Sequence, residues 1–215
     1  MARVEPMRDA RTRHLPVGPG SPGDAGLPGD AELPGDSGVW TFIIADLMGF
    51  AMFFLVFSAG RVASPGLFEQ SRRHLDSQLG LVNTIILLTS SLFMVQAVHA
   101  ARRGDRGATL RHLVLTMVMG MGFAVVKMVE YSAKASAGVT MLTNEFFTYY
   151  FVFTGIHFLH VIIGLAALGM MVGRARRDPL NARFMLWIES VGSYWHMVDL
   201  LWIMLFPALY LMHAA

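Results

Sequence analysis

Residues 194–211 read YWHMVDLLWIMLFPALYL. The stretch is apolar enough to lie in lipid. With the residues just before it, it is long enough to cross, since a hydrocarbon core of about 30 Å takes roughly 20 helical residues. It nevertheless carries His196 and Asp199, three residues apart. Insertion of an ionisable side chain at a helix centre costs about 2.5–3.5 kcal/mol, so such a pair needs a reason to be there. At i,i+3 the two side chains share one helical face. Trp195 and Trp202 flank Asp199 four residues before and three residues after it.

Working back from this helix, four more apolar runs precede it. The five together cover about 39–60, 79–100, 112–131, 146–173 and 190–212. Lys127 and Glu130 interrupt the end of the third. The linkers are short and rich in Gly, Pro, Asn and Arg, as turns between packed helices are. The composition agrees: 54% of residues are hydrophobic and only 15% charged, against about 25% charged in an ordinary soluble domain. The pattern predicts an all-α, polytopic membrane helix bundle of five transmembrane helices over 38–215. Residues 1–37 form a separate zone in which AGLPGD (25–30) is nearly repeated as AELPGD (31–36). That zone predicts a disordered Pro/Gly/Asp-rich cytoplasmic tail, because it has too little apolar area to offset chain entropy. Its first thirty residues hold no apolar stretch, which predicts no cleavable signal peptide.

The arginines set the orientation. With the N-terminus cytoplasmic, the inner segments hold Arg3, Arg8, Arg11, Arg13, Arg102, Arg103, Arg106, Arg111, Arg174, Arg176, Arg177 and Arg183, and the outer ones only Arg61, Arg72, Arg73 and Lys134. The positive-inside rule then gives N-in, C-out, consistent with an odd number of helices. The net charge of +2 offers nothing for nucleic acid. Cysteine is absent, which excludes disulfides, thiolate zinc sites, iron–sulfur clusters and cysteine-ligated copper or haem, and leaves histidine-ligated metals open.

The chemistry-bearing residues fall into two groups. Asp46 sits about seven residues into the first span, roughly 10 Å deep, near the expected level of His196 and Asp199. Glu189 stands at the entrance of the last span. His157 and His160 share a face of the fourth span near mid-membrane. An outer cluster gathers Asn83, Lys127 and Glu130, with Thr84 and Tyr131 beside them. Each admits a structural reading, as a hydrogen-bonded group holding helices in register; for Lys127 and Glu130 this is an ion pair or snorkelling. Two sharper readings stand beside it. Asp46, near His196 and Asp199, would relay or store protons. Alternatively His157, His160 and His196 would ligate haem or a metal in a self-contained redox protein, although one helical face cannot supply both axial ligands of a single haem. A proton-coupled transporter is disfavoured because no paired repeat is visible. GMMVG (169–173) has the small-xxx-small spacing that permits close helix approach.

Several of these segments resemble one family. TGIHFLHVIIG (154–164) is similar to the T-G-x-H-x-x-H-V-x-x-G signature of haem–copper oxidase subunit III. YWHMVDLLW (194–202) resembles that family's Y-W-H-x-V-D-x-x-W, with Glu189 matching the preceding glutamate. LVNTIILLTSS (81–91), GD (104–105) and EY (130–131) resemble further family segments, in order, so that the likeness covers 38–212. The first span, GVWTFIIADLMGFAMFFLVF (38–57), carries Asp46 where the family usually has glutamate. Five helices rather than seven make the chain most like the short branch that includes the E-type accessory proteins of nitric oxide reductase. The resemblance implies a non-catalytic accessory subunit of a cytochrome c oxidase-type terminal oxidase or a nitric oxide reductase in a bacterial-type inner membrane. It implies no redox centre in this chain. Haem, with copper or non-haem iron, would belong to the catalytic partner. It further implies a bound phospholipid and support for assembly and proton uptake.

Overall fold

The computed structural model describes residues 35–211, so most of the expected tail (1–34) and the last four residues lie outside the described part. Six α-helices run in order: α1 (Ser37–Ala63), α2 (Pro65–Arg72), α3 (Ser77–Arg102), α4 (Arg106–Ser136), α5 (Glu145–Arg177) and α6 (Ala182–Phe206), followed by a π-helical turn at Pro207–Leu211. The five long helices are each apolar and long enough to cross a membrane.

These helices extend past the apolar runs because capping, not hydropathy, sets where they begin and end. The third span starts at Arg106 rather than near 112, and the last at Ala182 rather than near 190. In each case an Asx side chain just outside accepts a backbone N–H: Asp105 from Ala108, and Asn181 from Phe184. Asp36, Asp76 and Asn144 cap α1, α3 and α5 in the same way. Each such cap contributes about 1 kcal/mol. After α3 and α4 the chain turns through Gly104 and Gly138, both at positive φ, a conformation that glycine adopts without strain.

Helix α3 packs along α4 and α6, and α5 packs along the same two helices, which closes a four-helix bundle. α1 docks outside it, on α6 and α5. Its inward residues are Ile43, Phe50 and Phe57, while Phe42, Met48, Met52 and Leu55 point outward. α2 was not legible as a helix in the sequence. It is one short amphipathic piece that tucks Phe68 between Phe57 and Phe146. There Arg72 binds Glu69 at 2.8 Å, and this hydrogen-bonded guanidinium pulls the Glu69 carboxyl down to about 2.

The bundle is pinned around Trp195 and Trp202, both fully buried. Their indole N–H groups cross from α6 to α3, donating to Ser90 Oγ at 3.1 Å and Thr84 Oγ1 at 3.0 Å. The Trp195 ring lies against Gly120 of α4 and Gly164 of α5, where an added Cβ would come within 2.7 Å of it. Close approach is thus made by these two glycines. Gly169 and Gly173 of GMMVG have no atom within 4 Å of such a Cβ, so that spacing does not mark a helix contact.

Candidate functional site

Polar side chains inside the bundle form three separate groups. The largest lies toward the α2 end. Lys127 of α4 is completely buried and donates to Glu130 Oε2 at 3.0 Å, to Tyr150 Oη at 3.1 Å and to Tyr210 Oη at 3.0 Å. Tyr150 and Tyr210 in turn donate to Glu130 Oε1 at 2.9 and 2.8 Å. Lys134 approaches the same oxygen at 3.7 Å. The rings of Trp202 and Tyr150 lie 5.1 and 4.9 Å from the Lys127 ammonium, within cation–π range. Pro207 ends the α-helical part of the last span, and the π turn after it brings Tyr210 into this network. The expected Lys127–Glu130 ion pair is therefore present, as a buried pair rather than a snorkelling one. Its two tyrosines and Lys134 were not singled out from sequence. EFFTYYF (145–151) reads as ordinary aromatic packing, and Tyr210 is brought in only by the break at Pro207. Asn83 is also fully buried, on α3, with neither amide atom hydrogen-bonded among the described residues.

The second group joins α1 to the bundle. Asp46 Oδ1 lies 3.2 Å from His160 Nε2, while His160 Nδ1 bonds the Ile156 carbonyl at 2.8 Å. A carbonyl only accepts, so Nδ1 carries a proton. Nε2 is the ring nitrogen left to face the Asp46 carboxyl, at ion-pair distance. Asp46 thus meets His160, not His196 or Asp199, and the expected Asp46–His196–Asp199 grouping does not form. Tyr194 donates to the His160 carbonyl at 3.1 Å and ties the same place to α6.

The third group lies on the α3 side of α6. Ser91 Oγ and His196 Nδ1 share a 2.7 Å hydrogen bond. Asp199 is 3% exposed, and neither of its oxygens has a hydrogen-bond partner in the described chain. Glu189 pairs with Arg102 at 2.9 Å across the arginine-rich end. His157 and His160 share a helical face but take different partners. The His157 ring packs edge-on to Phe123 and beside Trp202, with no hydrogen bond to any described residue. The three histidines proposed as ligands consequently point to three different neighbours. Among the described residues no group of three His, Cys, Asp or Glu side chains could hold a metal ion.

The model of the family Cytochrome c oxidase subunit III matches residues 35–214. The cytochrome c oxidase subunit 3 of Corynebacterium diphtheriae is 31% identical over 175 residues, covering 80% of this chain and 85% of the relative. That of Synechocystis is 32% identical over 193 residues, 89% of this chain and 82% of the relative. The quinol oxidase subunit 3 of Bacillus subtilis is 29% identical over 181 residues, 81% of this chain and 85% of the relative.

Proposed function

The chain belongs to the cytochrome c oxidase subunit III family, and from that premise we propose that it is the accessory third subunit of a respiratory haem–copper terminal oxidase, seated beside the haem-bearing catalytic subunit. The observation that carries this reading is the family match, which runs through all five membrane spans. Membership also supports a chain without a redox centre of its own, the electron transfer and oxygen chemistry belonging to the partner. The relatives quoted carry oxidase names, and two of them are covered to 85%. The short form is therefore shared with oxidase subunits, which favours an oxidase over a nitric oxide reductase as the partner complex.

Three finer statements belong to the proposal. The N-in, C-out orientation in a bacterial-type inner membrane is supported by the arginines, since Arg102, Arg106 and Arg174 make their contacts at one end of the bundle. A proton-related role for Asp46 is supported by its place within the first span, 3.2 Å from the imidazole of His160. A bound phospholipid is supported by an apolar groove of about 330 Å³ between α1, α5 and α6, lined by Val39, Phe42, Ile163, Ala167, Trp187 and Tyr194.

The test is affinity purification of the tagged chain from detergent-solubilised membranes of its host. A haem-bearing polypeptide with terminal-oxidase activity should come with it, and the separated chain should be colourless. A haem spectrum retained by the separated chain and lost on His157 or His196 substitution would establish the self-contained redox protein instead.

A further inference from the structure

At mid-height, the outward side chains of α1, α4 and α5 include Met48, Met52, Met121, Val125, Leu159 and Ile162, which suit hydrocarbon. The seam between α3 and α6 differs. His196 stands halfway along the 30-residue last span, far from both of its ends. Its Nδ1 is bonded to Ser91, but no group in the described chain bonds Nε2, and the ring is part exposed on the outer side of α6. A polar atom left open to hydrocarbon is costly, so it calls for a partner. Toward the arginine-rich end, Gly192 and Ser193 supply no bulk and leave a groove of about 160 Å³, bounded by Val95 and Val98 of α3. The Arg102–Glu189 pair bridges that end of it. Beyond His196 in the other direction the seam is apolar, with Leu88 on α3 and Leu200 and Ile203 on α6 exposed. A stripe of small residues, one polar group and flanking aliphatics matches how membrane helices meet one another.

We infer that the α3–α6 seam is the face covered by the catalytic subunit, with one of that subunit's transmembrane helices laid along it and a hydroxyl, amide or carboxyl side chain opposite His196 Nε2. This rests on the accessory-subunit reading above and adds to it the docking face and the chemistry of the contact.

The chain has no cysteine, so single cysteines introduced in it can be labelled with a thiol-reactive benzophenone in the purified complex, the unsubstituted complex giving the background. Val95→Cys and Leu200→Cys probe the seam; Met52→Cys, Met121→Cys and Val125→Cys probe the other faces. Illumination should join the seam probes, and not the others, to the haem-bearing polypeptide. His196→Leu should lower the share of chain retained by that polypeptide after a detergent wash by about threefold, and by no more than about twentyfold, as single hydrogen bonds between membrane helices do. His196→Gln, which keeps a donor and an acceptor, should restore most of it, with helix content unchanged in both. Adducts to the haem-bearing polypeptide from α1 or α4 alone, or seam adducts only to lipid or to a second copy of this chain, would overturn the seam and leave the accessory reading standing. Absence of any haem-bearing polypeptide would overturn both.

Discussion

The buried Lys127–Glu130 network allows the order of three variants to be worked out in advance. At 3.0 Å the pair attracts by about 5 kcal/mol at an effective dielectric of roughly 20, and the Lys134–Glu130 contact at 3.7 Å by nearly as much. Most of this offsets the desolvation of the charges, so the pair adds little net stability, yet removal of one member is expensive. Glu130→Gln takes their shared anion from Lys127 and Lys134 and should cost about 3–5 kcal/mol. Lys127→Met leaves Glu130 with Lys134 and both tyrosine hydroxyls, and should cost about half as much. The double variant Lys127→Met/Glu130→Gln removes the fully buried cation with its anion but still takes Glu130 from Lys134, so it should recover about half of the Glu130→Gln loss. For a chain of this size 1 kcal/mol corresponds to about 2–4 °C. Melting of the purified protein in detergent, followed by circular dichroism, should therefore show Glu130→Gln about 6–20 °C lower, with the double variant above it. A double variant that melts below Glu130→Gln would refute the charge argument and place the stability in the tyrosine hydrogen bonds.

Three further outcomes follow from other parts of the bundle. Gly120→Ala and Gly164→Ala press a methyl group into Trp195 and should each cost about 1–3 kcal/mol, whereas Gly169→Ala and Gly173→Ala, which meet nothing, should leave the melting temperature unchanged or slightly raised. Asp46→Asn should leave assembly with the haem-bearing subunit intact and slow proton-limited turnover in the oxidase assay; unaltered turnover across pH 6–9 would remove the proton-related role. Glu69, held at about 2 by Arg72, has a folded pKa below its unfolded one, so its contribution to holding α2 is complete above about pH 4.5. That contribution should fade as the pH falls from there through 2. A carboxyl resonance of Glu69 titrating near 2, and moving up toward 4.5 in Arg72→Gln, would confirm the sign.

The five spans and the pairing of Lys127 with Glu130 were legible in the sequence because both depend on short-range signals, namely a run of about 20 apolar residues and an i,i+3 spacing on one helix. What was illegible depends on which helices become neighbours. Asp46 and His196 were expected at one depth and so together, but α1 docks on the α5 side of α6 while His196 faces α3, so equal depth did not mean contact. The small-xxx-small spacing of GMMVG marks no contact for the same reason, since among the described residues nothing packs against Gly169 or Gly173. Gly164 carries no comparable local pattern, and the same spacing in GMGFA (120–124) does not show what Gly120 would meet. Their role exists only because one tryptophan from a third helix lies against both.

In a membrane the apolar faces of helices are as well solvated by lipid as by one another, so burial alone does not choose partners or register. In this chain most of the neighbouring long-helix pairs are joined by at least one polar link. Asp46–His160 joins α1 to α5, and the Tyr194 hydroxyl joins α6 to α5. The two tryptophan N–H bonds join α6 to α3, Ser90 donates to the Thr116 carbonyl between α3 and α4, and the Lys127 network joins α4 to α5 and to the end of the last span. The ionisable residues that looked misplaced in YWHMVDLLW belong to the same scheme. Asp199 stays inside. His196 spends one nitrogen on Ser91 and presents the other at the surface, where no helix among the described residues meets it. A register device that faces outward has a use only if another chain supplies the partner, so His196 marks where this bundle ends and its neighbour begins.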